Sequence, residues 1–136
     1  MGLNTNRHSV YELKYHLVVV TKYRKKVIND TITKELYEIA KNIIEINNNG
    51  KLIEFNSDLD HVHLLFSVGP QVQLSKLINS YKTVSSRLIR KNHNDYLKNI
   101  CCKSMFWSNS YYIGSVGNTN EKVIKNYILN QWLANY

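Results

Sequence analysis

Asp60-His61-Val62-His63-Leu64-Leu65-Phe66 has the composition of a β-strand, and the rest of the chain is read outward from it. Side chains alternate between faces along a strand. His61, His63 and Leu65 therefore share one face, and Val62, Leu64 and Phe66 share the other. Two imidazoles two residues apart on a strand lie roughly 6.5–7 Å apart at the backbone. They can lean onto one metal ion, and as only two ligands they leave most of its coordination positions open. That condition suits a reactive metal site better than a structural one. The same pattern also suits two partly buried sheet histidines whose ring nitrogens are satisfied within the protein.

Upstream, Lys51 to Asp58 reads as another strand, with Leu52, Ile53 and Phe55 as its apolar content. The connection from Ser57 to Asp60 is short enough to make the two strands a hairpin, and Val68-Gly69-Pro70 ends the second of them. Further back, Tyr15-His16-Leu17-Val18-Val19-Val20 is continuously apolar and rich in β-branched residues, the mark of a central strand. It runs into Lys22-Tyr23-Arg24-Lys25-Lys26, an aromatic among four cations. That composition suits a phosphate backbone with a stacked base, and equally a solvated basic loop.

Asp30 or Thr31 caps a first helix. Its apolar positions Ile32, Leu36, Ile39, Ile43 and Ile46 recur at spacings of three and four, and Asn47-Asn48-Asn49-Gly50 stops it. A second helix begins near Val72. Leu74, Leu77, Ile78, Tyr81, Val84 and Leu88 line one face, with Lys76, Thr83, Arg87 and Arg90 opposite, where they contact phosphates or are simply solvated. Lys91 to Lys103 reads as a polar connection. Ser104 to Gly117, with Met105-Phe106-Trp107 and Tyr111-Tyr112-Ile113, reads as one long or bulged strand. Asn118 or Thr119 then caps a last helix, with Glu121 in its first turn.

The order is that of an α+β, ferredoxin-like (equally RRM-like) βαββαβ unit with a four-stranded antiparallel sheet, plus a C-terminal helix. The first and third strands are expected in the middle. Helices are expected on one face, and the other face open to the histidines and a ligand. Residues 1–136 are read as one domain, without repeats or linker-like composition.

A formal charge of +8 favours a polyanionic partner, with nucleic acid first. No apolar run approaches the roughly 20 residues that span a bilayer, and Met1 to Val10 has no signal-peptide core, so the expected location is cytoplasmic and no membrane partner is expected. Cys101 and Cys102 are adjacent and lack zinc-site spacing, so they read as reduced residues. There is no G-x-x-x-x-G-K loop, and no nucleotide cofactor is expected.

Tyr127 and Gln131, four apart on the last helix, share a face with Val123 and Ile124. They can simply pack. Alternatively, Gln131 offers its side-chain oxygen to the metal of His61 and His63, and Tyr127, one turn earlier, aims its phenol at a phosphorus atom held there. A tyrosine ester conserves the energy of the broken phosphodiester for later rejoining.

At this point the chain resembles a known family. Asp60-His61-Val62-His63 is similar to the histidine-hydrophobe-histidine (HUH) motif, and Tyr127-Ile128-Leu129-Asn130-Gln131 to the tyrosine-x-x-x-glutamine helix of single-tyrosine HUH transposases. These are the small TnpA enzymes of insertion-sequence-200-like elements. Tyr15-His16-Leu17-Val18 with Thr21-Lys22-Tyr23-Arg24 is similar to the family's opening strand and basic turn. Phe106-Trp107-Ser108-Asn109-Ser110-Tyr111-Tyr112 through Gly117 is similar to its last strand. The resemblance covers about Tyr11 to Gln131.

The resemblance implies an enzyme that cleaves single-stranded DNA beside imperfect-palindrome hairpins at the element's ends, and then rejoins it. Tyr127 takes the 5′ phosphate and a 3′-OH leaves. His61, His63 and Gln131 hold Mg²⁺ or Mn²⁺, with Mn²⁺ at least as effective because imidazole is a middling ligand for Mg²⁺. Asp60 either orients His61 or is a turn residue. Lys22, Tyr23, Arg24, Lys25, Lys26, Arg87 and Arg90 are the DNA-binding candidates. The enzyme is implied to be a homodimer that can share sites between subunits, with Gly114 and Gly117 as hinge candidates ahead of the tyrosine helix. The alternative is a non-catalytic single-strand or hairpin binder with an RRM-like fold, such as a domesticated transposase. An RRM presents stacking aromatics on its central strands, where this chain has His61 and His63.

Overall fold

Four strands and two long helices make up the computed structural model, which describes residues 4–5, 10–11, 13–100 and 104–116. In chain order they are β1 (Lys14–Thr21), α1 (Asp30–Lys41), β2 (Lys51–Ser57), β3 (His61–Ser67), α2 (Leu74–Asn92) and β4 (Trp107–Ser115). The sheet runs β2-β3-β1-β4, every neighbouring pair antiparallel. The expected α+β, βαββαβ fold is borne out, with the first and third strands in the middle and β2–β3 as a hairpin. A two-residue ladder pairs Asn4–Thr5 with Val10–Tyr11. The expected last helix, with Tyr127 and Gln131, lies outside the described residues, as do Cys101, Cys102 and Gly117. Among the described residues no helix is long and apolar enough to cross a membrane.

Alternation on the central strands builds the core. Leu17 and Val19 of β1 and Val62, Leu64 and Phe66 of β3 point to the helices, where they meet Ile32, Leu36 and Ala40 of α1 and Leu77, Ile78, Tyr81 and Ile89 of α2. Each large aliphatic or aromatic side chain buried this way contributes about 1.5–3 kcal/mol.

The helices depart from their expected frames for local reasons. Asn29, not Asp30 or Thr31, caps α1, its side chain accepting from the Ile32 amide at 2.9 Å. Asp30 becomes the first-turn acid. Beyond Lys41 the helix widens into a π-helical stretch, Asn42–Asn47. Longer-reach hydrogen bonds put an extra residue into the turn. The apolar stripe therefore rotates: Ile43 and Ile44 are buried, and Ile46, expected in the core, is 72% exposed. Gly50 follows at a close approach of strand and helix, where a Cβ would meet the Ser67 carbonyl oxygen at 2.5 Å.

In α2, Ser85 and Ile89 are buried where Val84 and Leu88 were expected. Ser85 belongs inside because its hydroxyl accepts the Trp107 indole N–H at 2.8 Å and donates to the Tyr81 carbonyl. Ser85→Ala leaves a buried indole N–H without its acceptor, at a cost of about 1–3 kcal/mol. Urea denaturation followed by tryptophan fluorescence should show a lower midpoint at unchanged slope.

The expected polar connection after α2 contains a helical turn, Asn94–Leu97, whose Leu97 joins the core. At its start, Asn92 donates to Glu35 of α1 at 2.9 Å, and the His93 imidazole pairs with the other carboxylate oxygen. Burial pushes the Glu35 carboxyl up, but the hydrogen bonds from His93 and Asn92, with the His93 charge, outweigh it and hold it below the usual carboxylate range. A carboxyl lowered on folding contributes stability that is complete above its ordinary pKa and lost as pH falls through its folded one. Glu35→Gln should therefore melt below the unmodified chain at pH 7, and the gap in Tm should close as the pH drops below about 4.

Candidate functional site

β1 and β3 oppose each other residue by residue, with Val20 across from His61, Val18 from His63, and His16 from Leu65. Directly opposed residues of an antiparallel pair project to the same side. His16, Val18 and Val20 therefore share the face of His61, His63 and Leu65, turned away from the helices. This face was expected to be open, and it is not: Val18, Val20, Leu65, His16 and His63 are each at most 1% exposed. The strands themselves give the reason. Val18 and Val20 of β1 and Leu65 of β3 put apolar side chains on this face as well as on the other, the pattern of strands covered on both sides.

His63 lies in that buried layer with its Nε2 3.0 Å from His16 Nδ1, one nitrogen donating and the other accepting. The two ring centroids are 4.9 Å apart. His16 did not stand out in the sequence, because it is embedded in an apolar run. Only the β1–β3 register brings it to the histidine motif.

His61 sits at the edge of the layer, its side chain 14% exposed. Its Nδ1 is 2.8 Å from Asp60 Oδ1. The other Asp60 oxygen accepts from Arg24 twice, from Nε at 3.0 Å and from Nη2 at 3.0 Å. Burial pushes the Asp60 carboxyl up, but the His61 hydrogen bond and the Arg24 charge outweigh it and hold it below the ordinary range. An ionised carboxylate only accepts, so His61 donates from Nδ1. That fixes the tautomer with a lone pair on Nε2, the form a metal ligand requires. Asp60 thus touches His61 as an orienting group does.

Arg24 reaches Asp60 from a strained turn. In the 3-10 turn Lys22–Arg24, Tyr23 (φ 57, ψ 21) and Arg24 (φ 53) are both left-handed. For non-glycine residues this costs about 1–2 kcal/mol each. The neighbouring contacts hold it. The Thr21 amide donates to the Asp60 carbonyl at 2.9 Å, its hydroxyl donates to the Lys25 carbonyl at 2.8 Å, and the Lys22 amide donates to the Phe106 carbonyl at 3.0 Å. Tyr23 is left 77% exposed, with Lys22 Nζ 5.2 Å from its ring centroid. Lys25 and Lys26 are exposed beside it.

The structure therefore brings Lys22, Tyr23, Arg24, Lys25 and Lys26 to the histidine end of β1. It does not bring Arg87 and Arg90 there. They lie on α2, which packs on the opposite face of the sheet. Arg90 donates to the Ser86 hydroxyl at 3.3 Å, beside a groove of about 400 Å³ between α2 and the start of β4. Lys82 crosses from α2 to donate to the Asn109 carbonyl at 3.0 Å. Gly114, a hinge candidate, is packed under the Tyr112 ring, where a Cβ would collide with the phenol.

Among the described residues no cluster of three or more His, Cys, Asp or Glu is placed to hold a metal ion. The two histidines are the candidate ligands there. The expected third donor, Gln131, and the expected nucleophile, Tyr127, lie outside the described residues.

Residues 9–131 match a family model described as Transposase IS200 like. Over 131 residues the chain is 30% identical to the ISDra2 transposase TnpA of Deinococcus radiodurans, spanning 96% of this chain and 92% of that protein. The crystal structure of a candidate transposase from Deinococcus radiodurans matches with a TM-score of 0.76 at 29% identity, covering 94% of this chain and 97% of that one. The fold alone is shared with a REP-associated tyrosine transposase bound to a REP hairpin, with a TM-score of 0.60 at 13% identity, covering 95% of this chain and 74% of that one.

Proposed function

The chain belongs to the IS200-like transposases, and from that premise we propose that it cleaves and rejoins single-stranded DNA beside hairpins at the ends of an insertion sequence, with Tyr127 as the nucleophile. One observation carries the reading: the family match over residues 9–131 spans His61-Val62-His63 and Tyr127-Ile128-Leu129-Asn130-Gln131 together. The hairpin held by the REP-associated transposase of like fold supports a hairpin as the DNA partner. Residues 1–136 act as one domain, in the cytoplasm and as a homodimer able to share its sites.

In the reaction, the Tyr127 phenol loses its proton and its oxygen bonds to the scissile phosphorus. The P–O3′ bond breaks, the departing 3′ oxygen takes up a proton, and the 5′ phosphate stays on Tyr127 as an ester. Attack by another 3′-OH reverses the exchange and joins the strands without a nucleotide cofactor.

His61, His63 and Gln131 are the proposed ligands of Mg²⁺ or Mn²⁺. The donor chemistry fits at His61, where the Asp60 contact leaves the lone pair on Nε2. His63 pairs through Nε2 with His16, so it would hold a cation through its other ring nitrogen, or through Nε2 once that pair opens. A bound divalent cation supplies neutralisation of the phosphate charge and its orientation for in-line attack. Lys22, Lys25 and Lys26 are placed for the backbone near the cut, and Arg87 and Arg90 for DNA on the far side of the sheet.

The reading is tested by incubating the chain with hairpin-bearing, single-stranded oligonucleotides from the element's ends, with Mg²⁺ or Mn²⁺. A covalent protein–DNA species on a denaturing gel, carrying the 5′ phosphate of the downstream fragment, is the expected product. Cleavage without any such species rules out a tyrosine ester.

A further inference from the structure

We propose that Tyr23 is the stacking platform for an unpaired base beside the cut, and that its turn is locked to His61 through Arg24 and Asp60, so that base contact and ligand orientation form one device. The inference rests on single-stranded DNA being the substrate and adds which residue grips it and how that grip reaches the site.

The exposure of Tyr23 is built into the fold. Two consecutive residues stand left-handed in this turn, and the second of them, Arg24, is the one that reaches Asp60. The structure keeps the strained form and bolts it down through Thr21, Lys22 and Asp60. Strain that persists this way marks a position with a task beyond folding. Its visible result is a tyrosine ring held 77% exposed, with a lysine ammonium 5.2 Å from its centroid. An aromatic face surrounded by cations is the combination that takes a base and its phosphate without reading sequence.

Register places the ring close to the site. Val20 faces His61, and Tyr23 follows Val20 by three residues, at most about 10 Å of chain. The gripped base is expected within the first few nucleotides of the scissile phosphate. The lock is equally short: Arg24 to Asp60 at 3.0 Å, and Asp60 to His61 at 2.8 Å.

The test uses the full chain carrying Tyr127→Phe, in EDTA, so that neither chemistry nor metal intervenes. The probes are a hairpin oligonucleotide with a single-stranded flank, with 2-aminopurine at each of the three positions nearest the cut, and the same hairpin without a flank. Fluorescence should be quenched at one position. Tyr23→Ala should remove the quench and weaken the flanked probe about five- to hundredfold, with less than twofold effect on the blunt hairpin, and Tyr23→Phe should recover most of the loss. Tyr23→Gly, at ease in the left-handed turn, should behave as Tyr23→Ala does, assigning the effect to the ring. Arg24→Ala should diminish the quench and, in a separate calorimetric titration in EDTA-free buffer, Mn²⁺ affinity.

Tyr23→Ala and Tyr23→Gly binding the flanked probe as tightly as the parent overturns the inference and leaves the proposed function standing. Equal weakening on the blunt hairpin also overturns it. Failure of the parent to bind any single-stranded probe overturns both.

Discussion

Tyr127→Phe should form no covalent adduct with an oligonucleotide that the unmodified chain captures. The substitution deletes one oxygen and keeps the ring, so packing is disturbed as little as possible while the proposed nucleophile disappears. Loss of a nucleophile leaves whatever acceleration binding alone provides, and the expected fall in adduct formation is about 10⁴-fold or more. The chain has ten tyrosines, so substitution by another is a real alternative. Tyr81 is a poor one: its phenol is buried, donates to the Leu36 carbonyl, and is pushed up by burial. Tyr23 is exposed but is placed here to stack rather than attack. A denaturing gel reads the result, and peptide mapping of any residual adduct identifies the residue. An undiminished adduct in Tyr127→Phe would move the nucleophile elsewhere.

Asp60→Asn should lower Mn²⁺ affinity by about 10- to 100-fold, the usual consequence of losing the group that orients a metal-binding histidine. The asparagine retains an acceptor but loses the charge that holds His61 as an Nδ1 donor, and it leaves the Arg24 guanidinium without its anion. The two losses act together, so the effect should exceed that of a neutral hydrogen bond. His61→Ala, which removes the proposed ligand itself, should reduce affinity further. Calorimetric Mn²⁺ titration of the variants makes the comparison, with circular dichroism to establish folding. Equal Mn²⁺ affinity in Asp60→Asn and the unmodified chain would reduce Asp60 to a turn residue.

The features legible in the sequence are those with local causes. Val18-Val19-Val20 reads as a central strand, and the β2–β3 hairpin follows from two apolar runs with a short polar connection. The histidine motif is visible because its two residues are neighbours along one strand. What escaped depends on tertiary placement. His16 joins His63 only through the β1–β3 register. Arg24 finds Asp60 across thirty-six positions of chain, and Ser85 belongs in the core only because an indole N–H is there to meet it. Ile46 was misplaced because a 3.6-residue period was carried through a π-helical stretch that does not obey it. The open sheet face was a fold-level habit, overruled by the valines and leucine between the histidines.

That closure sets the direction from which a polynucleotide can come. A nucleic acid spread across the sheet, as on an RRM, would need to lie over Val18, Val20 and Leu65, and none of them offers surface to it. His61 is the histidine with surface to offer, and it stands at the rim with the basic turn beside it. Under the proposed function the scissile segment therefore comes to the lip of the sheet rather than across its middle.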